Sequence, residues 1–142
     1  MIKELNILVD NKPGRLKAIT GILKKQSINI RAVTSHIREQ FGIVKMIVDN
    51  PDKAHVALSE GGLACSMKDI IAVNLKDSPG GLDEILDVFT LNNINIKDSY
   101  GFVIDSGNNA VFCVETIDNK KAIEIIQKNG YKVLNDKDIY NL

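Results

Sequence analysis

Two stretches of the 142-residue chain carry residue types suited to holding a small charged molecule, and they are spaced alike. Asn11-Lys12-Pro13-Gly14-Arg15-Leu16 lies 66 residues before Asp77-Ser78-Pro79-Gly80-Gly81-Leu82, and Ile28-Asn29-Ile30 lies the same 66 residues before Ile94-Asn95-Ile96. A helix that opens at Pro-Gly points free amide N–H groups and the positive end of its dipole into the preceding loop, which suits a carboxylate. Gly14 leaves room for a ligand to approach the backbone. Asp10 in the first stretch and Asp77 in the second could meet an α-amino group. Each loop can therefore handle a zwitterion. Asn and Asp also serve turns and caps wherever they occur, and Asn29 and Asn95 could equally be turn residues in left-handed φ.

The elements that position these residues repeat with them. Asp52-Lys53-Ala54 matches Lys120-Lys121-Ala122 at an offset of 68, as Gly62-Leu63 matches Gly130-Tyr131. The two extra residues fall in the turn-rich stretch Asp105-Ser106-Gly107-Asn108-Asn109. The boundary is expected near Lys68, giving units 1–68 and 69–142 with only Lys68-Asp69 as a linker. So short a join favours fixed docking and permits exchange of a terminal strand.

Each copy reads as strand, helix, strand, strand, helix, strand. Leu5, Ile7 and Val9 alternate with Asn6, Leu8 and Asp10 as a one-sided strand does. Pro13 is expected at the first helical position, followed by Leu16, Ile19, Ile22 and Leu23 at helical spacing. Ile28 to Ile37 and Phe41 to Val48 predict a hairpin whose turn, Glu39-Gln40-Phe41-Gly42, uses Gly42 at positive φ. Asn50-Pro51 caps a helix that Gly61-Gly62 stops, and Leu63 to Met67 closes the copy. The second copy repeats this with Ile71, Val73 and Leu75, a helix on Leu82, Ile85, Leu86 and Phe89, and strands near Ile94 to Ile104 and Ala110 to Thr116. Asp118 caps its last helix, Tyr131 to Leu134 is the closing strand, and Asn135 to Leu142 is unassigned. The fold class expected is α+β, two ferredoxin-like βαββαβ units with antiparallel sheets each backed by two helices.

Val9-Asp10-Asn11-Lys12-Pro13-Gly14-Arg15-Leu16 with Ile28-Asn29-Ile30 resembles the ACT domain, and Lys76-Asp77-Ser78-Pro79-Gly80-Gly81-Leu82 with Ile94-Asn95-Ile96 resembles it again. Together the two cover nearly the whole chain, which is similar to a free-standing tandem ACT protein. The resemblance implies a small ligand, most often an amino acid, bound at the junction of two ACT units to regulate an attached or associated enzyme. Similar domains, such as that of phosphoglycerate dehydrogenase, contact ligand through an Asn before the Pro-Gly and another before the Ile of the second strand. Here the first is Asn11 but becomes Asp77, while the second is kept as Asn29 and Asn95. The site expected from this resemblance comprises Asp10 to Leu16 with Asn29, and Asp77 to Leu82 with Asn95.

Composition narrows the alternatives. Eighteen Lys+Arg balance eighteen Asp+Glu, which argues against a nonspecific nucleic-acid or polybasic membrane binder. No apolar run approaches the ~18 residues of a membrane span, the first residues lack a signal peptide's apolar stretch, and a cytoplasmic location is the expectation. Cys65 and Cys113 stand in apolar surroundings without CxxC spacing, so buried reduced thiols are expected rather than a metal or redox site. His36 and His55 have no partner for catalysis in sequence. Seven Phe+Tyr are few for stacking RNA bases. The reading is a non-catalytic sensor without cofactor that binds a free amino acid and signals to a metabolic enzyme or regulator, acting as a homodimer. The alternative is an oligomerisation or scaffold module that has kept the fold and lost the ligand.

Charge is also partitioned between the copies. Residues 1–66 hold ten Lys+Arg and six Asp+Glu, net +4, while residues 67–142 hold eight and twelve, net −4. Much of the difference lies on the matched first helices, Arg15, Lys17, Lys24 and Lys25 against Asp83, Glu84 and Asp87. The copies are expected to attract each other, within one chain or across a dimer; two independently solvated helix faces would look the same in sequence.

Overall fold

The structure, a computed structural model, describes residues 1–140; Asn141 and Leu142, at the end of the unassigned tail, lie outside the described residues. The chain forms two units. One comprises Lys3–Asp69 with the chain from Ile139, the other Ile70–Asp138 with Met1–Ile2. The first unit holds β1 (Ile2–Asp10), α1 (Arg15–Lys25), β2 (Ile30–Arg38), β3 (Phe41–Val48), α2 (Pro51–Glu60) and the start of β4 (Ala64–Lys76). The second holds the rest of β4, α3 (Gly81–Leu91), β5 (Ile96–Asp105), β6 (Asn109–Thr116), α4 (Asn119–Lys128) and most of α5 (Asp136–Tyr140).

Both units have the ferredoxin-like βαββαβ plan. In the first the strand order is β2-β3-β1, with β4 next to β1; in the second it is β4-β6-β5. The pairs β1–β3, β2–β3, β4–β6 and β5–β6 are antiparallel. Alternation puts Leu5, Ile7 and Val9 of β1 on the helix side against Ile19 and Leu23 of α1 and Ala54 and Leu58 of α2. The second core repeats it with Ile71, Val73 and Leu75 against Ile85, Phe89, Ala122 and Ile126. Phe89 also meets Phe112, ring centroids 6.5 Å apart.

Four local expectations change. Lys68-Asp69 is not a linker: β4 runs unbroken from Ala64 to Lys76, a stretch with no Gly or Pro to interrupt it. The closing strand expected at Tyr131 to Leu134 shrinks to a bridge between Val73 and Val133, with Asn74 N–H donating to Lys132 O (2.9 Å) and Leu134 N–H to Ala72 O (2.7 Å). Beyond it the tail reaches the first unit, where Ile139 is buried, Lys3 N–H donates to Tyr140 Oη (2.8 Å) and Arg31 Nη2 donates to Tyr140 O (2.9 Å). The hairpin turn uses Glu39, not Gly42, at positive φ (+50°), because Arg38 pairs with Phe41 and leaves only Glu39-Gln40 to reverse the chain.

Gly42 instead lies in β3 opposite Ile37, where a Cβ would come within 2.5 Å of the His36 carbonyl oxygen and 2.7 Å of Ile37 Cα. The fourth change concerns helix starts. Asn50 and Asp118 cap α2 and α4 as expected, accepting from Lys53 N–H (3.1 Å) and Lys121 N–H (3.0 Å). Pro13, however, is not the first helical residue. Gly14 at φ +85° and Gly80 at φ +90° are the N-caps of α1 and α3, and neither helix has a side-chain cap. Each proline sets the turn before a left-handed step that only glycine takes without strain.

Gly42→Ala is expected to cost about 1–3 kcal/mol, because the obstacles are backbone atoms that cannot swing aside. Urea denaturation of the variant checks this; an unchanged midpoint would show that the β2–β3 hairpin relaxes freely.

Candidate functional site

Helices α1 and α3 begin at glycine without a side-chain cap. Gly14, Arg15 and Leu16 line a cleft in the first unit, whereas of Asp77 to Leu82 only Leu82 lines the cleft of the second, and Gly81 N–H donates to Ser78 O (3.0 Å). The first unit's cleft, about 180 Å³, lies between the loop at Asp10 to Leu16 and the strand residues Val9, Ser35, Ile37 and Val44. The second unit has a cleft of about 420 Å³ among Leu75, Leu82, Gly101, Val103 and Phe112, with Tyr100 and Phe102 also on its wall. The two correspond residue by residue at the repeat spacings: Val9 with Leu75, Leu16 with Leu82, Ser35 with Gly101, Ile37 with Val103, Val44 with Phe112. Leu16 and Leu82, whose spacing suggested core, are 44% and 48% exposed at the cleft mouths.

The loops are held in place by the first polar residue of each motif. Asn11 N–H donates to Gln40 O (2.8 Å) and Asn11 Nδ2 to Glu39 O (2.9 Å), tying the loop to the β2–β3 turn. Asp77 N–H donates to Asn108 O (3.1 Å), and its Oδ2 accepts from Gly107 N–H (2.7 Å), tying the second loop to the β5–β6 turn. The first turn offers a carbonyl and receives an amide donor; the second offers an N–H and receives a carboxylate. That is a structural reason for the Asn-to-Asp difference between the copies.

Charge separates the two clefts further. Asp10 receives Arg15 Nε on Oδ1 and Arg15 Nη2 on Oδ2 (2.9 Å), with Lys12 Nζ at 3.3 Å from Oδ2. The Arg15 hydrogen bond, assisted by Lys12, lowers the Asp10 carboxyl to about 2 against a burial effect in the opposite direction, and Arg15 is raised in turn. Asp10 is thus engaged by two cations instead of facing open space for an amino group. The trio carries a net positive charge at the mouth, where the bare end of α1 adds to it. The matching positions in the second unit are Lys76, Ser78 and Gly81, and α3 brings Asp83 and Glu84 into its first turn. The first cleft is small and cationic, the second wide and apolar.

Asn29 and Asn95 lie elsewhere. Asn29 lines a hollow at the far end of α1 with Thr20, Lys24 and Ser27, and Asn95 a matching one with Asn93, Asp118 and Lys121. Asn29 N–H donates to Asp49 Oδ1 and Asp49 N–H to Asn29 O, both 3.1 Å. An eleven-residue helix separates the two ends by about 16 Å, so Asn29 and Gly14 of one unit do not touch the same small molecule. Left-handed φ falls on Ser27 (+55°) and Asn93 (+53°), not on Asn29 and Asn95.

The cleft walls on β2, β3, β5 and β6 were missed by motif reading. The 66 and 68 offsets, carried along the strands as well as the loops, are the signal that would have found them. His36 is exposed on β2 and lines neither cleft, while His55 Nε2 donates to Cys65 O (3.0 Å) and joins α2 to β4. Cys113 is buried; Cys65 is half-buried, and burial raises its thiol. Among the described residues no His, Cys, Asp or Glu cluster could hold a metal, and no helix is long and apolar enough to cross a membrane.

Asp10 titration is expected to move in Arg15→Met from about 2 back toward the ordinary 3.8. Because the folded value lies below the unfolded one near ~3.9, the cluster favours the folded state above that pH. Its contribution fades as pH falls through about 2. Carboxyl chemical shifts followed against pH in wild type and variant test this; coincident curves would detach Arg15 from Asp10 in solution.

A family model described as an ACT domain pair matches residues 1–142. Among solved structures the chain is similar to protein BT0572 from Bacteroides thetaiotaomicron, at 30% identity over 99% of this chain and 96% of that one, with a TM-score of 0.92. In fold it is similar to the ligand-free regulatory subunit of aspartate kinase from Thermus thermophilus, at 13% identity over 90% of this chain and 92% of that one, TM-score 0.65. The corresponding subunit from Thermus flavus shows 13% identity over 89% and 90%, TM-score 0.57. No curated protein matches the sequence.

Proposed function

The chain belongs to the ACT domain pair family, and from that premise we propose that it is a non-catalytic regulatory protein that binds a free amino acid and passes its occupancy to a partner. One observation carries the reading: α2 and α4 are capped by their own Asn and Asp side chains, whereas α1 and α3 begin at glycine without a side-chain cap, and the start of α1 lines a cleft. First-turn amides without a side-chain cap suit an incoming carboxylate, more so in α1 than in α3, where Gly81 N–H already donates to Ser78 O. The Pro-Gly loops at residues 10–16 and 77–82 are the sites on this reading, with Lys12 and Arg15 favouring the carboxylate in the first and Leu82 beside the apolar wall of the second. Asn29 and Asn95, a helix length away in their own units, take part only toward a ligand seated in another unit. The aspartate kinase subunits resembled in fold are regulatory by name, which supports the same class of role.

The scaffold alternative draws on Asn11 and Asp77, whose hydrogen bonds to the hairpin turns account for both side chains without a ligand. A thermal-shift screen with the twenty amino acids separates the two. A ligand at 100 times its dissociation constant stabilises by ~2.7 kcal/mol, while silence from all twenty favours the scaffold.

Gly14→Val is a poor probe of the first cleft, because at φ +85° any side chain strains the backbone. A loss of binding in it would not separate strain from blockage. Leu82→Asp is the better choice: Leu82 is half exposed, so the fold should tolerate the change, while a carboxylate at the apolar cleft should weaken an amino acid bound there by roughly 10-fold or more, about 1.4 kcal/mol. Calorimetric titration of a hit from the screen reads this, and unaltered affinity would move that ligand out of the second cleft.

A further inference from the structure

The two units treat one junction differently: where β2 begins and β3 ends in the first, and where β5 begins and β6 ends in the second. In the first unit Asp49 N–H donates to Asn29 O and Asn29 N–H to Asp49 Oδ1, both 3.1 Å. Lys53 Nζ adds a third bond, to Gln26 O (2.7 Å). At the repeat spacings Asn29, Asp49, Lys53 and Gln26 correspond to Asn95, Ile117, Lys121 and Asn92. Isoleucine brings no carboxylate, and among the described residues none of the three bonds has a counterpart, so that Asn95 N–H, Asn95 O and Lys121 Nζ are left without a partner. The surface opens at that point. A crevice of about 250 Å³ lies between Asn92 to Asn95 on one side and Thr116 to Asp118 with Lys121 on the other. The first unit's hollow is lined by Asn29 and its neighbours from α1 onward and by nothing from Asp49 to Lys53. Ile117, 75% exposed, does not refill the space.

We propose that this crevice binds a free aspartate-like molecule, separate from any ligand of the Pro-Gly loops, which makes from outside the bonds that the first unit makes with its own Asp49. The ligand class follows from what Asp49 presents. It meets Asn29 with a nitrogen and a carboxylate joined through two carbons, the skeleton of a β-amino acid. The smallest free molecule with that skeleton is β-alanine, and aspartate is the standard amino acid that carries it. In the crevice the β-carboxylate takes Asn95 N–H and the ammonium group takes Asn95 O beside the Asp118 carboxylate, which leaves the α-carboxylate for Lys121 Nζ. Asp118 Oδ1 already accepts from Lys121 N–H (3.0 Å); Oδ2 remains for the ammonium group. The neighbouring polar side chains do not compete, since Asn92 Nδ2 donates to Val88 O (2.8 Å) and Thr116 Oγ1 to Asn119 Oδ1 (3.1 Å). Asp118 also sets selectivity: a dicarboxylate without an ammonium group brings only like charge to it.

The crevice lies beyond the far end of α3, an eleven-residue helix that starts at the Pro-Gly loop, so this site and the loop sites stand or fall separately. Calorimetric titration of the full chain should show L-aspartate binding at least ~10-fold tighter than β-alanine, the difference one hydrogen bond between charged groups makes, and at least ~10-fold tighter than succinate. Lys121→Met should remove the advantage of aspartate over β-alanine and leave β-alanine itself unchanged. Ile117→Asp, which gives the second unit the carboxylate of the first, should fill the site from within and weaken both ligands at least ~10-fold. Circular-dichroism melts confirm that both variants fold, and the Asn95 amide resonance should shift as aspartate is added. No binding of aspartate up to ~10 mM, succinate bound as tightly as aspartate, or Ile117→Asp with wild-type affinity would each overturn the proposal. So would loss of aspartate binding in Leu82→Asp, which would put the ligand in the second cleft.

Discussion

A helix whose N-cap is glycine in the left-handed region has no side chain with which to cap itself. That constraint at Gly14 and Gly80 shapes everything the clefts can do. The chain leaves β1 or β4 extended and must turn sharply to lay a helix across the sheet. Proline fixes one step of that turn and glycine supplies the φ that an L side chain resists. The same step that makes the turn possible leaves the first-turn amides without a capping side chain. On the proposed reading, local backbone need and capacity for an anion are one property of the loop.

Holding so exposed a loop in one shape takes an anchor, and the anchors differ in chemistry while serving the same end. Asn11 donates to a turn carbonyl and Asp77 accepts from a turn amide, so the Asn-to-Asp difference compensates for how each hairpin turn presents its backbone. It does not by itself mark one site as active and the other as lost. What distinguishes the clefts lies beside the anchors, in the Asp10–Lys12–Arg15 cluster of the first and in Gly101, which contributes no side chain to the wall of the second.

The ferredoxin-like plan was legible because it rests on periodicities that recur in both copies, and each core is built from the alternation read in Leu5, Ile7, Val9 and in Ile71, Val73, Leu75. Failures came where one pattern admits two structures. Gly42 lies close enough to a hairpin turn to be read as the turn residue, yet its lack of a Cβ answers a close backbone approach within the strand. Lys68-Asp69 interrupts the hydropathy of β4 without interrupting its backbone, since exposed charges are compatible with a strand. The destination of the tail at Ile139 and Tyr140 could not be read at all, because a short helix encodes its own turn and not the surface it packs on. Around the first cleft the loop was legible and the walls were not, and of the second loop only Leu82 lines its cleft. Loop residues announce themselves by type, whereas Ser35, Ile37 and Val44 are ordinary strand residues that become walls only through register.

Duplication separates what the backbone demands from what it tolerates. The left-handed glycines recur at 14 and 80, and the left-handed turns after the helices recur at Ser27 and Asn93 although the residue type changed. Where the backbone makes no demand the chemistry diverged, Asp10 against Lys76, Lys12 against Ser78, Lys17 against Asp83. The clefts are therefore alike in frame and unlike in size and charge. A buried methylene contributes about 0.8 kcal/mol, so a ligand with three more of them in the wide apolar cleft gains roughly 2–3 kcal/mol there. The narrower cationic cleft cannot match this with volume and has only its charge to offer. If the clefts bind amino acids as proposed, a small polar one is favoured beside Lys12 and Arg15 and a branched or aromatic one beside Leu82 and Phe112. A pair of sites with such opposed preferences would report two ligands rather than count one ligand twice.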